Sequence, residues 1–110
     1  MDIQPEKTCC FTGHRPQFFP WGSNTGDPAA AKMLRALESE ILQAIAGSYT
    51  TFLYGGALGV DAWAAMIDRS SRLIADYDEH SRIHSGTWRA LCYARKKQLG
   101  IRQIRWMEYL

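Results

Sequence analysis

A glycine-rich turn between a strand-like and a helix-like segment constrains the fold of this 110-residue chain more than any other feature. Thr50–Tyr54 is β-branched and aromatic, as strands are, and an alanine-rich segment ending at Ile67 follows the glycines of Gly55–Gly59. Glycines let backbone N–H groups approach an anion closely, and the dipole of the following helix attracts that anion. The GGxxG spacing is equally compatible with a phosphate-binding loop and with a tight strand-to-helix turn.

Strand-like and helix-like segments alternate along the whole chain. The predicted strands are Lys7–Thr12, Thr50–Tyr54, Arg72–Tyr77 and Ile101–Trp106. The first predicted helix begins at Pro28, after the N-cap Asp27, and is ended by Gly47. The second follows Gly59 and continues to Ile67, and the third spans Thr87–Leu99 and is ended by Gly100. His80–Gly86 is predicted to be a loop. This alternation predicts an α/β fold, a Rossmann-like three-layer sandwich with a short, mainly parallel sheet of about four strands.

Apolar positions define the expected core. The adjacent residues Cys9 and Cys10 should point to opposite faces of the first strand, and a total of three cysteines does not predict a disulfide framework. One face of the first predicted helix carries five apolar residues, which are Leu34, Leu37, Ile41, Ala44 and Ile45.

The composition narrows the class of protein. The chain has 13 Lys and Arg against 11 Asp and Glu, and this formal net charge of +2 is too even to indicate nucleic acid or a membrane as the partner. No basic and apolar leader opens the sequence, and no apolar run is long enough to cross a bilayer. We therefore expect a single cytoplasmic domain over residues 1–110.

Three loops at the carboxyl ends of the predicted strands form the candidate site, because ligands of open parallel sheets bind there. These loops are Thr12–Pro16, Gly55–Asp61 and Asp78–Thr87. In the first loop, Arg15 could clamp a phosphate, and His14 could hydrogen-bond a ribose or phosphate oxygen.

The other two loops offer hydroxyl and carboxyl groups. Ser85, Gly86 and Thr87 could donate to a second anion at the start of the third helix, or Ser85 or Thr87 could simply be its N-cap. Asp61 could accept a hydrogen bond from a ribose hydroxyl or cap the second helix. Both alternatives stay open for each residue.

Aromatic and charged side chains outside these loops have different expected roles. Trp21 could stack on a base, whereas Phe18 and Phe19 are expected to pack on the rim of the core. An acidic cluster, formed by Asp76, Asp78 and Glu79, has no second His or Cys at a suitable spacing, so no metal is predicted. The basic residues of the C-terminal part are expected to form a solvated face, and they are Arg95, Lys96, Lys97, Arg102 and Arg105.

The candidate site is thus a binding site for an anionic ligand, with no catalytic residue, metal or cofactor predicted. Its candidate ligand-binding residues are Thr12, Gly13, His14, Arg15, Trp21, Gly55, Gly56, Leu58, Gly59, Asp61, Asp78, Ser85, Gly86 and Thr87.

Four blocks of the sequence together resemble one known family. The blocks are Cys9–Pro16, Gly55–Ala65, Ser71–Tyr77 and Ser85–Lys97. They are similar to the YpsA-like (DUF1273) branch of the SLOG superfamily. The resemblance implies a Rossmann-like fold and a function among nucleotide-ligand sensors, cytokinin-releasing phosphoribohydrolases and DNA-processing protein A relatives.

The resemblance also implies that the chain is shortened. Relatives carry an additional helix–strand–helix region where this chain has only Met66–Ser71. If the missing strand lay at an edge, the remaining order would be second, first, third, fourth, with the switch point between the first and third strands. The newly exposed edge at the second strand would favour a homodimer.

The expected function follows from what this chain lacks relative to the catalytic branch. Enzymes of that branch carry a motif similar to PGGxGTxxE, with an acidic residue shortly after the Gly-Thr pair. In this chain the corresponding pair is Gly86-Thr87, and the residues that follow it, Trp88–Leu91, include no carboxylate. The leading hypothesis is therefore non-catalytic binding of an ADP-ribose derivative, cyclic nucleotide or similar ligand, by a sensor or a phage-type sponge for an immune signal. The alternatives are a nucleotide N-glycosidase or phosphoribohydrolase-like enzyme using His14 or Asp61, and single-stranded DNA binding.

Overall fold

Four parallel strands form the centre of the computed structural model, which describes residues 4–13, 20, 24, 26–54, 60–81 and 86–110. The strands are β1 (Thr8–Gly13), β2 (Thr51–Tyr54), β3 (Arg72–Asp76) and β4 (Gly100–Ile104). The α-helices within the described ranges are α1 (Pro28–Ala46), α2 (Val60–Asp68) and α3 (Gly86–Lys96), with short 3₁₀ helices over Pro5–Lys7, Glu79–Ser81 and Trp106–Tyr109. The predicted α/β class with a short parallel sheet is confirmed.

The strands are ordered β2-β1-β3-β4, as predicted. From β1 the chain passes through α1 to β2 on one side, and then crosses through α2 to β3 on the other side of β1. Every pairing is parallel, so the carboxyl ends of all four strands lie at one edge of the sheet. We call this edge the carboxyl edge.

Two apolar layers cover the two faces of the sheet, and the adjacent cysteines divide between them. Cys9 is buried in the layer that contains α1, and Cys10 is buried in the layer that contains α2 and α3. The prediction of opposite faces is therefore confirmed, and all three cysteines of the chain are free thiols. Desolvation by burial raises the pKa of Cys9 to about 12, so that side chain stays protonated at neutral pH.

Helix α1 packs through a stripe that differs partly from the predicted one. Ala44 is buried, and Leu37 and Ile41 pack against the core, as expected. Leu34 and Ile45, however, are 42% and 53% exposed, so their assignment to the core face was wrong. The inward positions near the start of the helix are instead the buried residues Ala29, Ala30 and Met33, and the two alanines let the helix approach the sheet closely.

Three predicted boundaries near the C-terminal half also differ. Gly100 does not end the last helix, because α3 ends at Lys96 and Gln98 takes the left-handed conformation, with φ of 61°, while Gly100 is the first residue of β4. The predicted strand as far as Trp106 ends at Ile104, and Trp106 begins a 3₁₀ helix with its side chain buried on α1. The predicted loop His80–Gly86 begins within the 3₁₀ helix Glu79–Ser81.

The N-cap of α1 supports a direct stability test. Asp27 Oδ1 accepts hydrogen bonds from the backbone N–H groups of Ala29, at 2.8 Å, and Ala30, at 3.4 Å. Asp27→Ala should lower the free energy of unfolding by about 1 kcal/mol in urea titrations, because those donors lose their partner. Lys32→Ala, an exposed change in the same helix, is the control, and equal effects of the two variants would contradict this role of Asp27.

Candidate functional site

The switch point of the sheet lies between β1 and β3, where the chain leaves in opposite directions along the sheet. Gly13 and Asp76 are the last registered pair of these two strands, so they mark the carboxyl edge at this point. On the other side of Asp76, the registered residue of β4 is Ile104. Open α/β sheets bind ligands in the crevice beyond such a pair, because the helices on either side diverge there.

Asp76 is the functional candidate that the sequence analysis did not select. Its registered neighbours are a glycine, which has no side chain, and Ile104, which is buried. Ile74, two residues earlier on the same face of β3, belongs to the layer of α1. Asp76 therefore lies at the open end of an apolar layer.

The carboxyl group of Asp76 is desolvated by burial and has one oxygen without a hydrogen-bond donor among the described residues. The residue keeps some exposure, but its Oδ1 atom is buried and accepts no hydrogen bond from the residues that the structure describes. Desolvation raises the pKa of Asp76 from 3.8 to about 7. A carboxyl group with such a pKa can exchange a proton, or accept a hydrogen bond, near neutral pH.

Two predicted site hydroxyls are buried near the same edge. Thr12 is the penultimate residue of β1 and Thr87 is the second residue of α3, with exposures of 7% and 4%. Strand alternation puts Thr12 on the same face as Cys10, which faces α2 and α3. The described part of the carboxyl edge thus has hydroxyl groups on one face of the sheet and the Asp76 carboxyl group on the other.

Asp78, a predicted ligand-binding residue, is engaged within the protein. It is 1% exposed, and its Oδ1 accepts from the backbone N–H of His80 at 2.9 Å and lies 3.2 Å from His80 Nδ1. Its Oδ2 accepts from the backbone N–H of Met107 at 3.1 Å. These bonds connect the end of β3 to two 3₁₀ helices, which supports an anchoring role for Asp78.

Glu79 strengthens the same connection at the surface. Its carboxylate accepts from Arg105 Nε at 3.0 Å and from the Gln103 amide at 2.6 Å. Hydrogen bonds from its own backbone N–H and from Arg105 lower the pKa of Glu79 to about 2. Glu79 therefore remains ionised at any pH at which the protein is expected to work.

Most of the other predicted site residues lie outside the described part of the chain: His14, Arg15, Trp21, Gly55, Gly56, Leu58, Gly59 and Ser85, and with them Phe18 and Phe19. Gly13 ends β1 and Gly86 begins α3, so the backbone of both lies at the carboxyl edge. Asp61 is the second residue of α2 and Thr87 the second of α3, so neither is the N-cap that the alternative reading gave it.

Three of the five basic residues of the C-terminal part are paired with carboxylates. Arg102 Nε lies 2.8 Å from Glu40, Arg105 Nε lies 3.0 Å from Glu79, and Lys97 Nζ lies 3.8 Å from Asp68, the three pairs sharing no residue. Pairing of this kind reduces the positive potential available to a polyanion. It supports the expected solvated face and gives little support to single-stranded DNA binding.

Within the described residues, no group of three or more His, Cys, Asp or Glu side chains is placed to hold a metal ion. The helices described are also too short or too polar to traverse a lipid bilayer.

Comparison of the chain with family models, curated proteins and solved structures found no match. The resemblance to the SLOG superfamily therefore stays a prediction.

Proposed function

We propose that this chain binds a nucleotide-derived phosphate ligand, such as an ADP-ribose derivative or a cyclic nucleotide, at the carboxyl edge without consuming it. The observation that carries the proposal is the switch point between β1 and β3, bounded by Gly13 and Asp76. The glycine turn Gly55–Gly59 and the pair His14–Arg15 follow strands that end at this same edge. Their backbone N–H groups and the Arg15 guanidinium suit phosphate oxygens.

The proposed role is sensing or sequestration of the ligand, the latter as a phage-type sponge for a nucleotide immune signal. The absence of a carboxylate just after Thr87 in the sequence supports binding without turnover. We further propose a cytoplasmic location and a homodimer. The homodimer is supported by β2, which pairs only with β1 within the described sheet and whose Tyr54 is 65% exposed.

The proposal is tested by calorimetry with ADP-ribose, 3′,5′-cyclic AMP and inorganic pyrophosphate. Wild-type protein should bind at least one of the two nucleotides, and Arg15→Ala should weaken that binding by about tenfold or more, because a bidentate charged hydrogen bond to phosphate is lost. Arg35→Ala, on the exposed side of α1, is the matched control and should leave affinity unchanged. Failure of both nucleotides to bind wild-type protein would contradict the proposal, whether or not pyrophosphate binds.

A second candidate function is hydrolysis of the N-glycosidic bond of a nucleotide. The observation that favours it is Asp76, whose pKa of about 7 suits a general acid or base at neutral pH. Incubation of the protein with nucleoside monophosphates, followed by chromatography, separates the two functions. Recovery of intact nucleotide supports binding alone, and release of free base supports the enzyme.

A further inference from the structure

The phosphate site proposed for the loops does not involve the Asp76 carboxyl group, which also lies at the carboxyl edge. Asp76 Oδ1 is buried and lacks a hydrogen-bond donor among the described residues. Buried polar atoms are nearly always paired, so an orphaned carboxyl oxygen at the switch point points to a donor supplied by a ligand. Gly13, its registered neighbour in β1, has no side chain and so supplies no donor.

The chemistry of the Asp76 carboxyl group indicates which part of a nucleotide it would bind. A phosphate would bring a second negative charge next to Asp76 and would be repelled. Sugar hydroxyls donate hydrogen bonds, and two neighbouring hydroxyls can reach the two oxygens of one carboxylate. The sugar is also bonded directly to the phosphate, so a phosphate held by the adjacent loops brings the sugar within reach before the base.

We propose that Asp76 binds the vicinal hydroxyl groups of a ribose in the ligand, and so fixes the sugar at the switch point between β1 and β3. This inference rests on the proposed function, because the loops must hold the phosphate for the sugar to reach Asp76. It assigns the recognition of the ligand to two groups of residues, with phosphate bound by the loops and ribose bound at the end of β3.

Binding should then depend on pH, because the ionised carboxylate is the form that accepts two hydroxyl donors. By strand alternation, Arg72 and Arg102 lie on the same face of the sheet as Asp76, and Arg102 pairs with Glu40 of α1. Asp27 caps α1, and Arg105 and Glu108 follow β4. His14 and Arg15 follow β1 and lie outside the described residues. Since the pyrophosphate of ADP-ribose keeps its charge between pH 6 and pH 8, a change in affinity over this range reports on the protein.

The test compares ADP-ribose with inorganic pyrophosphate, which offers phosphate without a sugar. Asp76→Leu should weaken ADP-ribose binding by roughly 10–100-fold, the usual cost of losing hydrogen bonds to a charged group, and leave pyrophosphate binding at pH 8 unchanged. Wild-type affinity for ADP-ribose should rise by about tenfold from pH 6 to pH 8 as the carboxyl group ionises. Asp76→Asn keeps one carbonyl acceptor, so it should retain part of the affinity and lose the pH dependence.

Glu38→Gln removes an exposed carboxylate on α1 and serves as the matched control, with wild-type affinities expected. If Asp76→Leu binds ADP-ribose as well as wild type does, the ribose inference is wrong and the proposed function stands. If both variants at Asp76 lose pyrophosphate as strongly as ADP-ribose, or if affinity falls as the pH rises, the inference is also wrong. If wild-type protein binds 3′,5′-cyclic AMP, which lacks vicinal hydroxyl groups, but not ADP-ribose, the ribose inference is wrong and the proposed function stands. If it binds neither nucleotide, both proposals fail.

Discussion

The Asp76→Asn variant is expected to be more stable than wild type, and its advantage should grow by about 2–3 kcal/mol between pH 5 and pH 8. Burial raises the pKa of Asp76 from 3.8 to about 7, so the folded chain keeps a proton that the unfolded chain releases within this window. The wild-type free energy of unfolding therefore falls as the pH rises through the window and levels off above pH 7. Asparagine carries no such proton, so the variant should not show this decline.

Urea titrations at pH 5, 6, 7 and 8 measure this difference directly. Glu79 does not interfere, because its pKa is lowered from 4.5 to about 2 and its contribution to stability is lost only at more acidic pH. Glu38→Gln is again the control and should follow the wild-type profile. Parallel profiles for wild type and Asp76→Asn would show that the Asp76 carboxyl group is ionised throughout this range.

A large loss of stability is expected for Asp78→Ala, with a free energy of unfolding lower by about 2–4 kcal/mol. The change removes a buried carboxylate that accepts from the backbone N–H groups of His80 and Met107. Both donors lie in 3₁₀ helices whose positions depend on these bonds. Thermal and urea unfolding at pH 7 measure the loss.

The neighbouring exposed residue provides the comparison. Glu79→Ala removes a surface ion pair with Arg105 and should cost less than about 1 kcal/mol. Similar costs for the two variants would contradict the anchoring role of Asp78. A variant Asp78→Asn that keeps wild-type stability but loses ADP-ribose binding would instead support the ligand-binding role predicted from the sequence.

Local sequence patterns were sufficient to predict the architecture. Short apolar runs ending at glycine or at a polar residue marked each strand within one or two residues, and Asp27 followed by Pro28 fixed the start of α1. The period of two along β1 was enough to separate Cys9 from Cys10. Each of these predictions depends only on residues close together in the sequence. Tertiary packing therefore did not alter them.

Features that depend on tertiary packing were harder to predict. Leu34 and Leu37 are both apolar, and only the position of α1 on the sheet decides which of them faces inward. A carboxylate at a strand end gives little indication of its role. Asp76 and Asp78 are only two residues apart, yet Asp76 Oδ1 has no hydrogen-bond donor among the described residues, whereas Asp78 accepts from the backbone N–H of Met107. The available signal for Asp76 was its position in the alternation of β3, where it occupies the same face as the core residue Ile74.

The hydrogen bond between Asp78 and Met107 joins residues 29 positions apart in the chain. During synthesis on the ribosome, the segment after β3 therefore emerges well before the backbone donor that anchors it. Until Met107 is available, the Oδ2 atom of Asp78 must be satisfied by water. The bond can therefore form only after β4 and the 3₁₀ helix Trp106–Tyr109 have followed β3 out of the ribosome.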